Sequence, residues 1–248
     1  MDRLIHTSAT ALRAAMARQA TTANNLANAN TSGFRAELAT VRPVWLHGGT
    51  VDARILAAEE VTAADMHQGT VSQTGRDLDV ALDGDGLLAV QAPDGSEGYT
   101  RRGDLQLTDS GLLTLGDGTP VLGDGGPITL PAADKITIAG DGSVYIIPQG
   151  SDPSALPQLV DRLKVVSPTG SRIAKGLDGL FRVVGGGALP SDPEAKVKSG
   201  SLEGSNVNSS QALVDMIDAS RSWETQIKLL TTARELDSSS TDLMRLPD

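Results

Sequence analysis

Two stretches with helical spacing close off the ends of this 248-residue chain, and the residues between them are spaced for strands. Near the N-terminus, Ile5, Ala9, Leu12, Met16, Gln19, Ala23 and Leu26 follow alternating steps of four and three, and all but Gln19 are apolar. Near the C-terminus, Leu213, Met216, Ser220, Trp223, Ile227 and Leu230 step by three and four. The stripe then drifts to Ala233, Leu236 and Leu243, as a helix nearer 3.6 than 3.5 residues per turn would make it do. Both stripes are narrow, coiled-coil-like seams rather than the wide face of a helix laid on a globular core. A helix with so narrow a seam is marginal alone in water. Each seam must therefore bury against the other or against neighbouring subunits.

The first helix should stop within Asn28–Gly33, because Asn tolerates left-handed backbone and Gly33 suits a positive φ at or beyond the cap. Residues 34–76 lack clear periodicity and read as an extended connector with short strands. From residue 77 the pattern is β. Leu78, Val80 and Leu82 alternate with Asp77, Asp79 and Asp83, the period-two signature of a half-buried strand. Ile136/Ile138 and Val144/Ile146 alternate again. Asp-Gly pairs at 83–84, 85–86, 94–95, 117–118, 124–125 and 141–142 suit hairpin turns. The expected organisation is α+β. A helix at 1–33, a connector at 34–76, a central antiparallel all-β domain at 77–200 and a helix at 201–248 follow in that order.

Composition narrows the function. A net charge of −10 argues against a general nucleic-acid binder, which needs clustered Lys and Arg. The absence of Cys excludes disulfides, thiolate nucleophiles and Cys-ligated metals. With two each of Phe, Trp and Tyr, the core must be aliphatic. No apolar run approaches the length of a membrane span. The N-terminus lacks the h-region of a cleavable secretory signal, so the mature chain is expected to keep it. Its Arg-rich, acid-poor character is shared with transit peptides, but the Asn-rich stretch and the matching C-terminal stripe have no place in such a peptide.

Catalytic and ligand signals are weak. His6, His47 and His67 lie far apart without metal-ligand spacing. Asp83-Gly84-Asp85-Gly86 starts like a calcium loop, but Leu87 stands at the next ligand position and no Glu follows at the twelfth, so a turn is expected. Gly185-Gly186-Gly187 lacks the residues of a phosphate cradle. Glu59-Glu60 are adjacent in sequence and cannot face each other, so they read as a solvated pair. No catalytic residue, cofactor site or metal site is expected.

Asn24-Asn25-Leu26-Ala27-Asn28 with Thr31-Ser32-Gly33-Phe34-Arg35 resembles the N-terminal signature of the bacterial flagellar rod and hook proteins. The stretch Thr74–Gly86, Tyr99-Thr100-Arg101-Arg102-Gly103-Asp104 and Asp141-Gly142-Ser143-Val144 are similar to central motifs of that family. Gly200-Ser201-Leu202-Glu203-Gly204-Ser205-Asn206-Val207 resembles the sequence before its C-terminal helix. Trp223 departs from the family's usual Tyr or Phe while keeping an aromatic ring. The opening residues and the length resemble the proximal-rod members more than the distal-rod or hook members.

The resemblance implies a structural subunit of the proximal rod, not an enzyme. Such subunits assemble helically into a hollow, periplasm-crossing drive shaft that transmits torque and conducts exported subunits. The expected partners are other rod subunits, further copies of itself and the flagellar type III export apparatus. Neither nucleic acid nor a direct membrane span is expected. Ile5, Leu12, Met16, Leu26, Leu213, Met216, Trp223, Ile227 and Leu230 would form assembly seams, joined at the interface by Gly33 and Phe34. Asn24, Asn25 and Asn28 would satisfy backbone groups where the helix ends. Trp223 is expected to be exposed in the free subunit, whose ends should be mobile around a folded β domain. The rival readings are a distal-rod or hook-type subunit and a rod-associated peptidoglycan hydrolase. The second would need a compact catalytic Glu or His constellation that the sequence lacks.

Overall fold

The computed structural model describes residues 2–45, 55–152 and 156–244, with side chains described for 8–39, 63–152, 156–236 and 238–241. His47 lies outside the described residues, as do the side chains of Ile5, His6, Glu59, Glu60 and Leu243. The chain begins with helix α1 (Asp2–Ala27), followed by strands β1 (Glu37–Trp45), β2 (Ile55–Ala64), β3 (Val71–Gln73), β4 (Val80–Leu82), β5 (Leu87–Gln91) and β6 (Glu97–Thr100). Next come β7 (Leu105–Leu107), β8 (Leu113–Leu115), β9 (Leu122–Gly123), β10 (Gly126–Pro127), β11 (Ala133–Ile138) and β12 (Ser143–Pro148). The series closes with β13 (Gln158–Arg162), β14 (Val165–Val166), β15 (Ile173–Lys175), β16 (Phe181–Val183), β17 (Val197–Ser199), β18 (Ser201–Glu203) and helix α2 (Ser209–Met244). The protein is α+β, with helices at its ends and a mostly antiparallel β body.

The chain divides into two compact units, neither contiguous in sequence. The first holds residues 1–28, 37–63 and 207–248. Within it α1 packs against α2 and against β1, and β1 and β2 form a two-stranded sheet. Asn208 caps α2: its Oδ1 accepts the Gln211 N–H at 3.1 Å, which satisfies one of the donors a helix start leaves open.

The second unit holds residues 29–36 and 64–206. Its largest sheet has the order β14-β5-β6-β16-β15, and a second runs β11-β12-β13. Ile136 pairs with Ile146 and Ile138 with Val144, so the two alternating runs share one buried face. Strand β5 is apolar on both faces because each meets a different core. Leu88 and Val90 join the larger cluster, with Leu105, Leu113, Ile128 and Val144. Leu87 and Ala89 join a smaller one, with Tyr99, Val166 and Phe181. Gly95 and Gly142 take positive φ at the tips of the β5–β6 and β11–β12 hairpins.

Three boundaries differ from the sequence reading. Residues 29–33 belong to the β-rich unit rather than to the helix. The segment read as a connector contributes β1 and β2 to the helical unit and β3 to the β-rich one. Residues 201–203 form β18, which pairs with β3, and the C-terminal helix starts only at Ser209. The alternation around β4 also fails. Val80, Ala81, Leu82 and Asp79 are all buried; the Asp79 carboxylate is tolerated there because it accepts the Thr74 hydroxyl at 2.6 Å and pairs with Arg76 at 3.5 Å.

Candidate functional site: a helix pair and a buried ion triad

Helical unit. Along α2 the shielded positions are Ala212, Met216, Ala219, Trp223, Gln226, Leu230 and Ala233, again in steps of four and three. This ridge keeps Met216, Trp223 and Leu230 from the sequence-derived seam but takes Ala212 and Ala219, both buried, in place of Leu213 and Ser220. Small alanines let helix backbones approach closely. Leu213 and Ile227, expected on the seam, stand 50% and 43% exposed in the chain. On α1, Ala15, Thr21 and Thr22 are buried while Met16 is 53% exposed. Leu12, Asn25, Leu26 and Asn28 are half-buried and Asn24 is exposed. Trp223 is half-buried rather than freely exposed, because it lies on the shielded ridge.

The asparagines at the end of α1 divide the work. Asn28 Nδ2 donates to the Asn24 carbonyl at 2.9 Å and to Asn24 Oδ1 at 2.8 Å. Asn25 instead reaches β1. Its Nδ2 donates to the Glu37 carbonyl at 2.9 Å, and its Oδ1 accepts the Glu37 N–H at 2.8 Å. One side-chain amide thus stands in for a neighbouring strand's backbone.

β-rich unit. Here the motifs scattered along the sequence converge. Gly33 is buried with φ +65°, and a Cβ there would lie 2.3 Å from the Arg101 carbonyl carbon. Its N–H donates to the Glu203 carbonyl at 2.8 Å. Arg35, Arg101 and Glu203 are each 1% exposed. Glu203 Oε1 meets Arg35 Nη2 at 2.6 Å and accepts the Gly69 N–H at 2.9 Å. Glu203 Oε2 accepts from Arg101 Nη2 at 2.6 Å and from Nε at 2.9 Å. Arg101 Nη1 donates to the carbonyls of Gly84 and Gly86 at 2.7 and 2.6 Å. Burial depresses the Arg101 pKa, with Glu203 opposing that shift. Removing one partner from a buried pair of this kind costs about 3–5 kcal/mol.

The Asp83–Gly86 turn therefore offers its carbonyls to a guanidinium, not to calcium. Half-buried Phe34 lies under Lys175, whose Nζ is 3.7 Å from the ring centroid, a cation–π contact. Asn206 Oδ1 accepts the Ala36 N–H at 2.8 Å, and its Nδ2 donates to the carbonyls of Asp65 and His67 at 2.8 and 3.0 Å. The Asp65 N–H in turn donates to the Ala36 carbonyl at 2.8 Å. Sequence reasoning quoted Arg35, Arg101 and Glu203 within motifs but assigned them no role. Only the pairing of β18 with β3 brings Glu203 to the arginines.

Among the described residues, no group of three or more His, Asp or Glu could hold a metal ion. His67 pairs with Asp65 at 2.5 Å and is largely exposed. Among the described residues, no helix is long and apolar enough to cross a membrane.

Three family descriptions match the chain. Residues 5–35 match the flagella basal body rod protein family, residues 81–146 the flagellar hook protein FlgE/F/G D1 domain, and residues 198–243 the flagellar basal body rod FlgEFG protein C-terminal region. The flagellar basal-body rod protein FlgF of Salmonella typhimurium is 42% identical, across 99% of this chain and 100% of its own. The FlgF protein of Escherichia coli is 45% identical across 94% of each chain. The flagellar basal-body rod protein FlgG of Bacillus subtilis is 32% identical across 86% of this chain and 88% of its own.

Proposed function

Because the chain belongs to the flagellar basal-body rod FlgEFG family, and is like its relatives a structural rod subunit rather than an enzyme, we infer that it builds the proximal part of the rod. It does so by packing its terminal helices against those of neighbouring subunits, both rod proteins of other kinds and further copies of itself. The observation that carries this reading is the unequal use of the two helix faces. One ridge of α2 is shielded within the chain, while Leu213, Ile217 and Ile227 remain 43–53% exposed. Met16 on α1 is likewise left facing water. Burying these side chains between subunits would offset the entropy lost as the helices order.

A helical array of such pairs would form a hollow, torque-bearing shaft across the periplasm. Its subunits would arrive through the flagellar type III export apparatus. The resulting interface would comprise Met16, Leu213 and Ile227, joined by Ile5, while Leu12, Leu26, Met216, Trp223 and Leu230 hold the helix pair behind it and Asn24, Asn25, Asn28, Gly33 and Phe34 fix how the chain leaves α1. The proximal position is supported by likeness to FlgF, the family's proximal-rod member, in two proteins 42% and 45% identical across nearly the whole chain.

Complementation of a strain lacking the protein tests the reading. Ile227→Asp should be produced with an unchanged β-rich unit and yet fail to build a rod, because the added charge would be desolvated between subunits. Normal swimming with this variant would refute the assigned face.

A further inference from the structure

Two short segments distant in sequence, 29–36 and 200–206, meet at Glu203 inside the β-rich unit. We propose that Glu203 is a latch that makes their docking cooperative, so that release of either segment loosens the hold on the other.

The two arginines are provided for unequally. Arg101 keeps the carbonyls of Leu82, Gly84 and Gly86 whatever happens to Glu203. Arg35 is as deeply buried, but its Nε and Nη1 make no hydrogen bond among the described residues. Its Nη2 meets Glu203 at 2.6 Å. A buried guanidinium hydrogen-bonded by one carboxylate, with Asp65 acting on it only through its charge, is poorly provided for inside once that carboxylate leaves. Arg35 sits on a short segment outside any strand, whereas Arg101 directly follows the core strand β6.

The backbone reinforces the pairing in both directions. Gly33 N–H donates to the Glu203 carbonyl at 2.8 Å, and Asn206 N–H donates to the Phe34 carbonyl at 3.3 Å. Asn206 Oδ1 takes the Ala36 N–H. Undocking 200–206 therefore strips 29–36 of its charge partner and of these backbone partners. Undocking 29–36 removes one of the two guanidiniums from Glu203. Linkage of this kind is reciprocal.

The consequence lies in chain connectivity. Residue 28 continues from α1, and residue 207 leads to α2. Order at one end of the chain then favours order at the other without any contact between the helices being required.

Hydrogen exchange on the full-length protein tests it. Glu203→Gln should accelerate exchange about tenfold or more in both 29–36 and 200–206, with β5 and β6 unchanged. Arg35→Met should accelerate 200–206 as well as its own segment, although Glu203 keeps Arg101. The double variant should be no faster than Glu203→Gln alone. Acceleration confined to the substituted residue's own segment would overturn the latch, as would unchanged exchange in both. Loss of protection through β5 and β6 would also overturn it, by making Glu203 a support of the whole core.

Discussion

The backbone N–H of Leu189 donates to the Tyr99 hydroxyl at 2.6 Å, inside the smaller of the two cores. Burial pushes the phenol pKa from 10.0 up to about 12, against the lowering effect of the Leu189 N–H. The folded state therefore holds this proton more tightly than the unfolded chain. The stability linked to it is complete below pH 10 and is lost as the pH rises toward about 12. Tyr99→Phe should remove that alkaline loss. It should also cost about 1–3 kcal/mol at neutral pH, because the Leu189 N–H is left buried without a partner. Urea denaturation at pH 7 and pH 11 measures both effects.

At the opposite end of the scale, Arg182 makes a bidentate pair with Asp178, at 3.0 and 2.6 Å. These hydrogen bonds hold the Asp178 carboxyl below its ordinary value of 3.8. The contribution is present above that value and fades as the pH falls through the folded-state value. Both side chains are about one-third exposed, so solvent screening limits the pair to about 0.2–1 kcal/mol. Asp178→Asn should lower stability by that amount at pH 7 and flatten its decline below pH 3.8. Thermal unfolding followed across the acid range reports the slope.

Gly33→Ala should be far more damaging than Gly95→Ala, although both positions have positive φ. Beside Gly33 a Cβ would strike the Arg101 and Arg102 backbone at 2.3–2.4 Å, whereas beside Gly95 nothing lies within 4 Å. Gly95→Ala should show only the left-handed backbone penalty of about 1–2 kcal/mol. Gly33→Ala should exceed it and release residues 29–36. Paired denaturation and exchange measurements separate the two effects, and equal losses would mean that the segment can shift to make room.

Trp223→Asp and Ile227→Asp should behave differently in the isolated chain. Trp223 lies on the shielded ridge of α2 and Ile227 on the exposed one. The first should loosen the α1–α2 pairing at a cost of about 2 kcal/mol or more. The second should stay within about 0.5 kcal/mol. Circular dichroism of the helical signal under mild denaturant distinguishes them.

The helical ends and the antiparallel middle were legible because their apolar periods are local properties of the chain. The Ile136/Ile138 and Val144/Ile146 runs pair as their alternation implies. The orientation of α2 was legible only to within one position, since spacing cannot rank Leu213 over Ala212 when close helix packing favours the smaller residue. Asp79 was read as solvent-facing, because its partner, the exposed Thr74, lies in an irregular segment without periodicity. The ion triad was illegible as chemistry. Arg35, Arg101 and Glu203 are separated by up to 168 positions (203 minus 35), and no spacing rule connects charges that meet only through strand pairing.

The bond from Asp65 N–H to the Ala36 carbonyl means that the chain leaves the β-rich unit and re-enters it at one spot. Residues 37–63 are thus an excursion with a closed base. The entropy of closing such a loop grows only slowly with its length. The connection between β1 and β2 can therefore be lengthened or shortened while both flanks stay where they are. This makes it the place where a subunit of this architecture can acquire a new reach without redesigning the body that carries it.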